Sequence, residues 1–219
     1  MKVRVTKKKI KNIIIKINDM GEVLVSAPLN VPNYYIEKVL KEKEEWIRER
    51  LELLTKREKK IVQYDSGEIF SYLGKRYTIE IQHSTKEYCQ LKNDKFIIYL
   101  KENSFEKRKT LINTWICDNF CPFMMELTMN ISEKIGYIPE VVKFRDMKTR
   151  WGSCNSKNRS ITYNYQLYKK SREIIEYVVL HELSHIPYPH HQKSFWDFVE
   201  KYMPDWKIRR KLLKESSDE

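Results

Sequence analysis

EIIEYVVLHELSHIPYPHH, residues 173–191, joins an apolar helical run to a cluster that holds four of the chain's five histidines. His181, Glu182 and His185 form HExxH. Residues four apart on a helix share a face about one turn apart, so both imidazoles can reach a single ion. Glu182, one residue on from His181, can lean over the open position of that ion and take a proton from a water there. The preceding EIIEYVVL gives the helix an apolar side to bury, so the stretch predicts a helix buried on that side.

A third ligand must come from beyond that helix. On a continued helix, a residue six past His185 would point about 120° away from the His185 direction. Pro187 and Pro189 end the helix, because neither donates a backbone hydrogen and each disfavours helix in the residue before it. The chain can then turn back. His190 and His191 point opposite ways if extended, and His191 falls at the HExxHxxxxxH spacing. It is the expected third ligand, with His190 outside the set. Three imidazoles suit one Zn²⁺ with a position left for water, although other divalent ions suit the same donors.

Outward from this stretch, Ser171-Arg172-Glu173 opens the helix, and Val141–Phe144 and Ser160–Tyr163 read as strands around a polar loop, RDMKTRWGSCNSKNR. Gln192–Tyr202 and Pro204–Leu213 read as short helices. A long helix spans Phe105 to Ile135, where Pro122 either kinks or breaks it and Gly136 stops it. Before it lie short β runs at Ile69–Leu73, Tyr77–Ile81, Tyr88–Leu91 and Phe96–Leu100, with turns at Gly74-Lys75 and Asn93-Asp94, which predict a small antiparallel sheet. Pro32 to Lys60 is helical in pattern and densely charged. Ile13–Ile17 and Val23–Val25 flank Asn18-Asp19-Met20-Gly21 as a hairpin. The predicted class is α+β. A β-rich N-terminal region, 1–104, carries a charged helix at 32–60 and precedes a metal-binding catalytic domain, 105–219.

The 219 residues can bury a core without staples, and the four cysteines of this chain are expected to be thiols in a cytoplasmic protein. Cys117 and Cys121 lie four apart on the long helix and read as buried small residues, as does Cys154. No apolar run is long enough to span a membrane. The opening MKVRVTKKKIKNIII lacks a cleavage site and does not read as a signal peptide. The net charge is +12, of which +7 lies in residues 1–60 and +5 in 147–219. Such an excess attracts polyanions, so nucleic acid or nucleotide is a possible partner beside a polypeptide substrate, against the plainer reading of a solvated lysine-rich surface.

Extended to HELSHIPYPHHQKSFW, the sequence resembles the YgjP-like metallopeptidase family, which is related to SprT-like zinc proteins. MKTRWGSCNSK (147–157) is similar to that family's loop before the active-site helix, and IEYVVLHELSH (175–185) to the helix itself. His191 with Phe195-Trp196, MPDWK (203–207), YLGKRYTIEI (72–81) and Trp46-Ile47 extend the likeness over nearly the whole chain. The resemblance implies a zincin-like domain in which His181, His185 and His191 hold zinc and Glu182 is the general base. The Pro-Tyr-Pro segment and Asn158, where the loop often has glycine, depart from the family pattern.

Other residues carry chemistry of their own. Arg150 can bind an anionic group or a developing oxyanion, or lock its loop. Trp151 reads as packing, with Gly152 giving its ring room. Tyr163 and Asn164, on a strand expected at the sheet edge, can meet a substrate backbone. Asp197 can accept a hydrogen bond from a ligating imidazole and so orient it. Three activities are open: a zinc peptidase, from the three histidines and Glu182; a metal-dependent nucleotide (phosphoanhydride) hydrolase, from the +12 charge and Arg150; and, by analogy with SprT-like proteins, a nucleic-acid-associated protease whose basic ends dock on DNA or RNA.

Overall fold

A computed structural model describes residues 2–18, 20–56 and 62–216. The chain divides into two compact units, Met1–Ile61 and Val62–Glu219. In the first, strands β1 (Val3–Lys8), β2 (Ile14–Ile17) and β3 (Val23–Pro28) form a sheet in the order β1-β3-β2. The expected hairpin is β2–β3, antiparallel with Ile17 opposite Val23; Asp19 of its turn lies outside the described residues. β1, which no periodic signal announced, pairs parallel to β3 with every residue exposed.

The charged helix expected over 32–60 is two helices, α1 (Asn33–Glu42) and α2 (Glu44–Lys56). Residues 57–60 of that expectation lie outside the described residues. At Lys43 the backbone N–H is shared between the Val39 and Leu40 carbonyls, at 3.1 and 3.2 Å, and the helix restarts. Both pieces then contribute to one small core, Ile36 from α1 and Ile47 from α2, with Val23, Val25 and Ala27 of β3. No glycine or proline marks the break, so the sequence carries no signal for it.

The second unit opens with β4 (Ile69–Tyr72), β5 (Lys75–His83), β6 (Tyr88–Lys92) and β7 (Lys95–Leu100), in the order β4-β5-β7-β6. The sheet is mixed, not antiparallel as expected, because β7 lies between β5 and β6 and runs parallel to β5. β7 carries the near-continuous apolar run KFIIYL, with Phe96, Ile97, Ile98 and Leu100 buried, which demands a place covered on both faces. The β4–β5 turn is centred on Leu73 and Gly74, both at positive φ. A Cβ on Gly74 would come within 2.8 Å of Ser171, so this turn sits directly on the start of the active-site helix.

Helix α3 (Phe105–Ile135) runs unbroken through Pro122 and ends at Gly136. After it, β8 (Val141–Arg145), β9 (Gly152–Asn155) and β10 (Ser160–Asn164) form a second sheet in the order β8-β10-β9. A 3₁₀ turn (Tyr165–Lys169) leads to α4 (Arg172–Ser184), α5 (Lys193–Tyr202) and α6 (Trp206–Glu215). One buried cluster unites Phe70, Phe96 and Ile98 of the first sheet with Ile112, Ile116 and Phe120 of α3 and Ile175, Val179 and Leu183 of α4. The Arg108 guanidinium on α3 donates to the Gln63 carbonyl at 3.0–3.1 Å and pairs with Asp65 at 2.9 Å. The β4–β7 sheet thus belongs to the second compact unit, whose described part opens at Val62, and forms one wall of the core that holds α4. Among the described residues no helix is long and apolar enough to cross a membrane.

Candidate active site

Helix α4 is buried almost all round, with Ile174, Ile175, Tyr177 to Leu180 and Glu182 to Ser184 all buried. It ends at His185, as the prolines predict. His185 N–H donates to the Glu182 carbonyl at 3.2 Å, and Tyr188 N–H donates to Ser184 at 3.1 Å to close the turn. The chain then reaches His191 before α5 begins at Lys193.

His181, His185 and His191 each offer a ring nitrogen within 4.8 Å of the others. The Nε2 atoms of His181 and His191 are 3.0 Å apart. Ligands held tetrahedrally at the usual zinc–nitrogen distance stand about 3.3 Å apart, so this spacing is close to that of a shared ion. His185 Nδ1 lies 3.1 Å from the Tyr188 carbonyl. A carbonyl only accepts, so Nδ1 carries the proton and Nε2 keeps its lone pair for a ligand. Phe195, fully buried, lies under all three rings at 4.6–5.0 Å. Burial, more than the neighbouring imidazoles and Arg210, lowers the His181 pKa to about 3. Burial also lowers those of His185 and His191. All three therefore stay neutral at pH 7, the form a metal binds. The donor set, its spacing and its protonation fit a divalent ion.

Glu182 is 6% exposed. Burial raises its carboxyl to about 8, against the opposing charge of Arg150. The site is closed on its other side by Gly152 of β9, where an added Cβ would lie 2.5 Å from Glu182 Cγ and 2.6 Å from Oε1. Gly152 thus makes room for the Glu182 carboxyl rather than for the Trp151 ring. Burial pushes the Cys154 thiol up to about 11, with Glu182 adding to it, so it is no nucleophile at neutral pH. All four cysteines are unpaired thiols. Cys117 is exposed, not buried as expected, with its sulfur 3.9 Å from that of Cys121.

The remaining expected site residues separate. Arg150 lines a cavity of ≈ 270 Å³ together with His181 and Glu182. Tyr163 does not face a cleft: it is fully buried, its hydroxyl 3.3 Å from that of Thr128. β10 is the central strand of its sheet, so its edges are already spent on β8 and β9. Asn164 is also turned inward, donating to the Met147 and Arg150 carbonyls at 2.7 Å each and accepting from Gln166 N–H. It braces the 147–150 loop. Asp197 does not reach a ligand; it pairs with Lys193 at 2.7 Å on the surface of α5. The acceptor expected of it is supplied to His185 by the Tyr188 main chain. His190 is exposed and outside the imidazole group. Arg210, over the Trp196 ring at 4.9 Å, also lines the cavity. In the sequence it is one cation among several in KIRRK, and nothing there singles it out.

These shifts predict a pH response for the chelated protein. The Glu182 pKa is about 8 when folded against an ordinary 4.5, so its burial becomes progressively destabilising as pH rises from about 4.5 to about 8. His181, at about 3 against 6.5, instead costs stability as pH falls below 6.5. The melting temperature of the chelated protein should fall between pH 6.5 and 8.5, and Glu182→Gln should flatten that fall. An identical alkaline slope in the variant would assign the loss elsewhere.

No curated protein matches the chain. The solved structures that resemble part of it include two metallopeptidase zymogens. The metallopeptidase zymogen of Pyrococcus abyssi abylysin is 26% identical, with a TM-score of 0.40, over 42% of this chain and 93% of that one. The metallopeptidase zymogen of Methanocaldococcus jannaschii jannalysin is 16% identical, with a TM-score of 0.39, over 42% of this chain and 95% of that one. The family model described as YgjP-like, metallopeptidase domain, matches residues 11–216. The chain belongs to the YgjP-like metallopeptidase family and is a metal-dependent peptidase.

Proposed function

We propose that the chain is a zinc peptidase of the HExxHxxxxxH type, with His181, His185 and His191 as ligands and Glu182 as general base. The observation that carries this is the meeting of three neutral imidazole nitrogens within 4.8 Å beside a buried carboxyl on the same helix. A zinc ion held by His181, His185 and His191 would supply Lewis acidity and would lower the pKa of a water there towards about 7. Glu182 takes the proton of the attacking water and passes it to the leaving amine nitrogen. Arg150, at the cavity wall, stabilises negative charge on the substrate side.

The substrate main chain is read by β9. Its one ladder partner among the described residues is β10, and it packs on α4. An extended peptide can therefore add to its other edge beside Glu182. The strand-addition role expected at Tyr163 and Asn164 passes to Gly152–Asn155. A phosphoanhydride hydrolase normally gathers carboxylates around Mg²⁺, whereas the single group of three close metal donors among the described residues is the histidine triad.

Elemental analysis tests the ligand set. Purified protein should carry about one zinc per chain, and His191→Ala should lose most of it, while His190→Ala retains it. Full zinc in His191→Ala would remove that residue from the site.

A further inference from the structure

The cavity of ≈ 270 Å³ beside the active site has a floor from α4 (Tyr177, Val178, His181, Glu182) and one wall from Thr149 to Gly152. Its other wall is α6, with Arg210, Leu213 and Lys214. Among the described residues three cations thus line it and Glu182 is the one acid.

These cations differ from the structural arginines of the same unit. Arg108 is paired with Asp65 at 2.9 Å, Arg172 with Glu176 at 3.0 Å, and Arg209 with both Glu176 and Asp205 at 2.8 Å. Arg150, Arg210 and Lys214 have no carboxylate within ion-pair distance among the described residues. One side chain is nonetheless held in place, and a second cation is braced at its main chain. Arg210 is stacked on Trp196 at 4.9 Å and on Trp206 at 6.0 Å, and those two indoles stack on each other at 4.3 Å. The main chain at Arg150 is fixed by Asn164 Nδ2, which donates to its carbonyl. Positioned guanidinium groups lose little entropy on capturing a carboxylate, and their planar forks match its two oxygens.

From this we propose that the cavity is a specificity site for a carboxylate carried by the peptide substrate at a residue adjoining the scissile bond, gripped by Arg150, Arg210 and Lys214. The proposal rests on the peptidase reading above. Adjacency follows from shared walls, since His181 and Glu182 line the cavity and also belong to the reaction centre. The volume sets the size of the guest. Sites for whole small molecules run from about 300 to 1,000 Å³, so this one suits a single side chain or a chain terminus rather than a nucleoside triphosphate. The carboxylate has two sources, an Asp or Glu side chain or the α-carboxylate of a peptide that ends there.

The test uses the zinc-loaded full chain and matched peptides that differ at one position flanking the cleaved bond. Asp is compared with Asn, Glu with Gln, and a free C-terminus with its amide. The acid should exceed its amide by roughly tenfold in kcat/KM, as hydrogen bonds to a charged group imply, and the ratio should shrink with added salt. The larger of the side-chain and terminal ratios identifies the source. Arg210→Gln and Lys214→Gln should bring the ratio towards one, and Lys214→Glu should turn preference towards a Lys-bearing peptide. Because Arg210 also packs on two indoles, the exposed Lys214 variants keep the test independent of folding. A second readout needs no turnover: calorimetric binding of the same pairs to full-length Glu182→Gln should show the same preference in Kd. Peptides cleaved with no acid preference, a preference untouched by the Arg210 and Lys214 variants, or nucleotide binding that the acidic peptide does not displace each overturn the proposal. Absence of all peptide cleavage would instead fail the peptidase reading, and the binding arm then decides the cavity alone.

Discussion

Glu182→Gln should lower kcat by about 10²–10⁴-fold, the usual worth of a positioned general base, while zinc content and KM stay near those of the parent protein. The amide has the size of the carboxyl and fits the same slot against Gly152, so packing changes little. It cannot accept a proton. The burial that raises the Glu182 pKa to about 8 in the absence of a cation makes the same point from the other side. A nearby dication favours the ionised form and brings the group back towards the working pH. Elemental analysis beside steady-state kinetics checks it, and an active, zinc-replete Gln variant removes Glu182 from the chemistry.

Gly152→Ala should be nearly as damaging, although no reacting atom touches that residue. The new Cβ would stand 2.5 Å from Glu182 Cγ, 2.6 Å from Oε1 and 2.7 Å from Cδ. The strand cannot retreat easily, because Gly152 is in register with Tyr163 and the Trp151 carbonyl accepts from Asn164 N–H at 2.8 Å. Tyr163 is itself locked in the core. The Glu182 carboxyl must swing away, and a displacement of about 1 Å in a catalytic group costs on the order of 10²-fold in rate. Overpacking should also cost about 1–3 kcal/mol of stability. The imidazoles are not displaced, so zinc content should hold. Kinetics, a melting curve and metal analysis together check the prediction. Unchanged kcat/KM would mean that Glu182 works from a conformation other than the one against β9.

The parts of this chain legible in its sequence are those where one signal was strong and local. The α4 pattern, the double proline and the histidine spacing lead to the triad without any tertiary information. α3 was readable because its periodicity outlasts Pro122, which removes one hydrogen bond in a helix of 31 residues. Strands without burial contrast were not readable: β1 is exposed throughout, and the four residues of β9 lie inside a polar loop. The order of the first sheet was hidden for a different reason. Turns report neighbours in sequence, whereas the parallel β5–β7 pairing reflects which strand most needs cover. The inward place of Tyr163 and Asn164 is not legible because alternation says which residues share a face but not whether a strand is at an edge, and β10 is central. Arg210 comes from α6, whose approach to α4 depends on packing among Trp196, Trp206 and Phe195 rather than on anything in KIRRK.

The bond between His185 Nδ1 and the Tyr188 carbonyl has a consequence for how this site tolerates sequence drift. Where a side-chain carboxylate orients a metal-binding imidazole, one base change can delete the acceptor. Here the acceptor is a peptide group, which every amino acid at position 188 would supply. Selection then acts on the path of the main chain rather than on the identity of the residue. The proline on either side of Tyr188 narrows that path to a few conformations. Position 188 is left free to vary for what its ring does, which here is to lean on Phe198 at 5.3 Å.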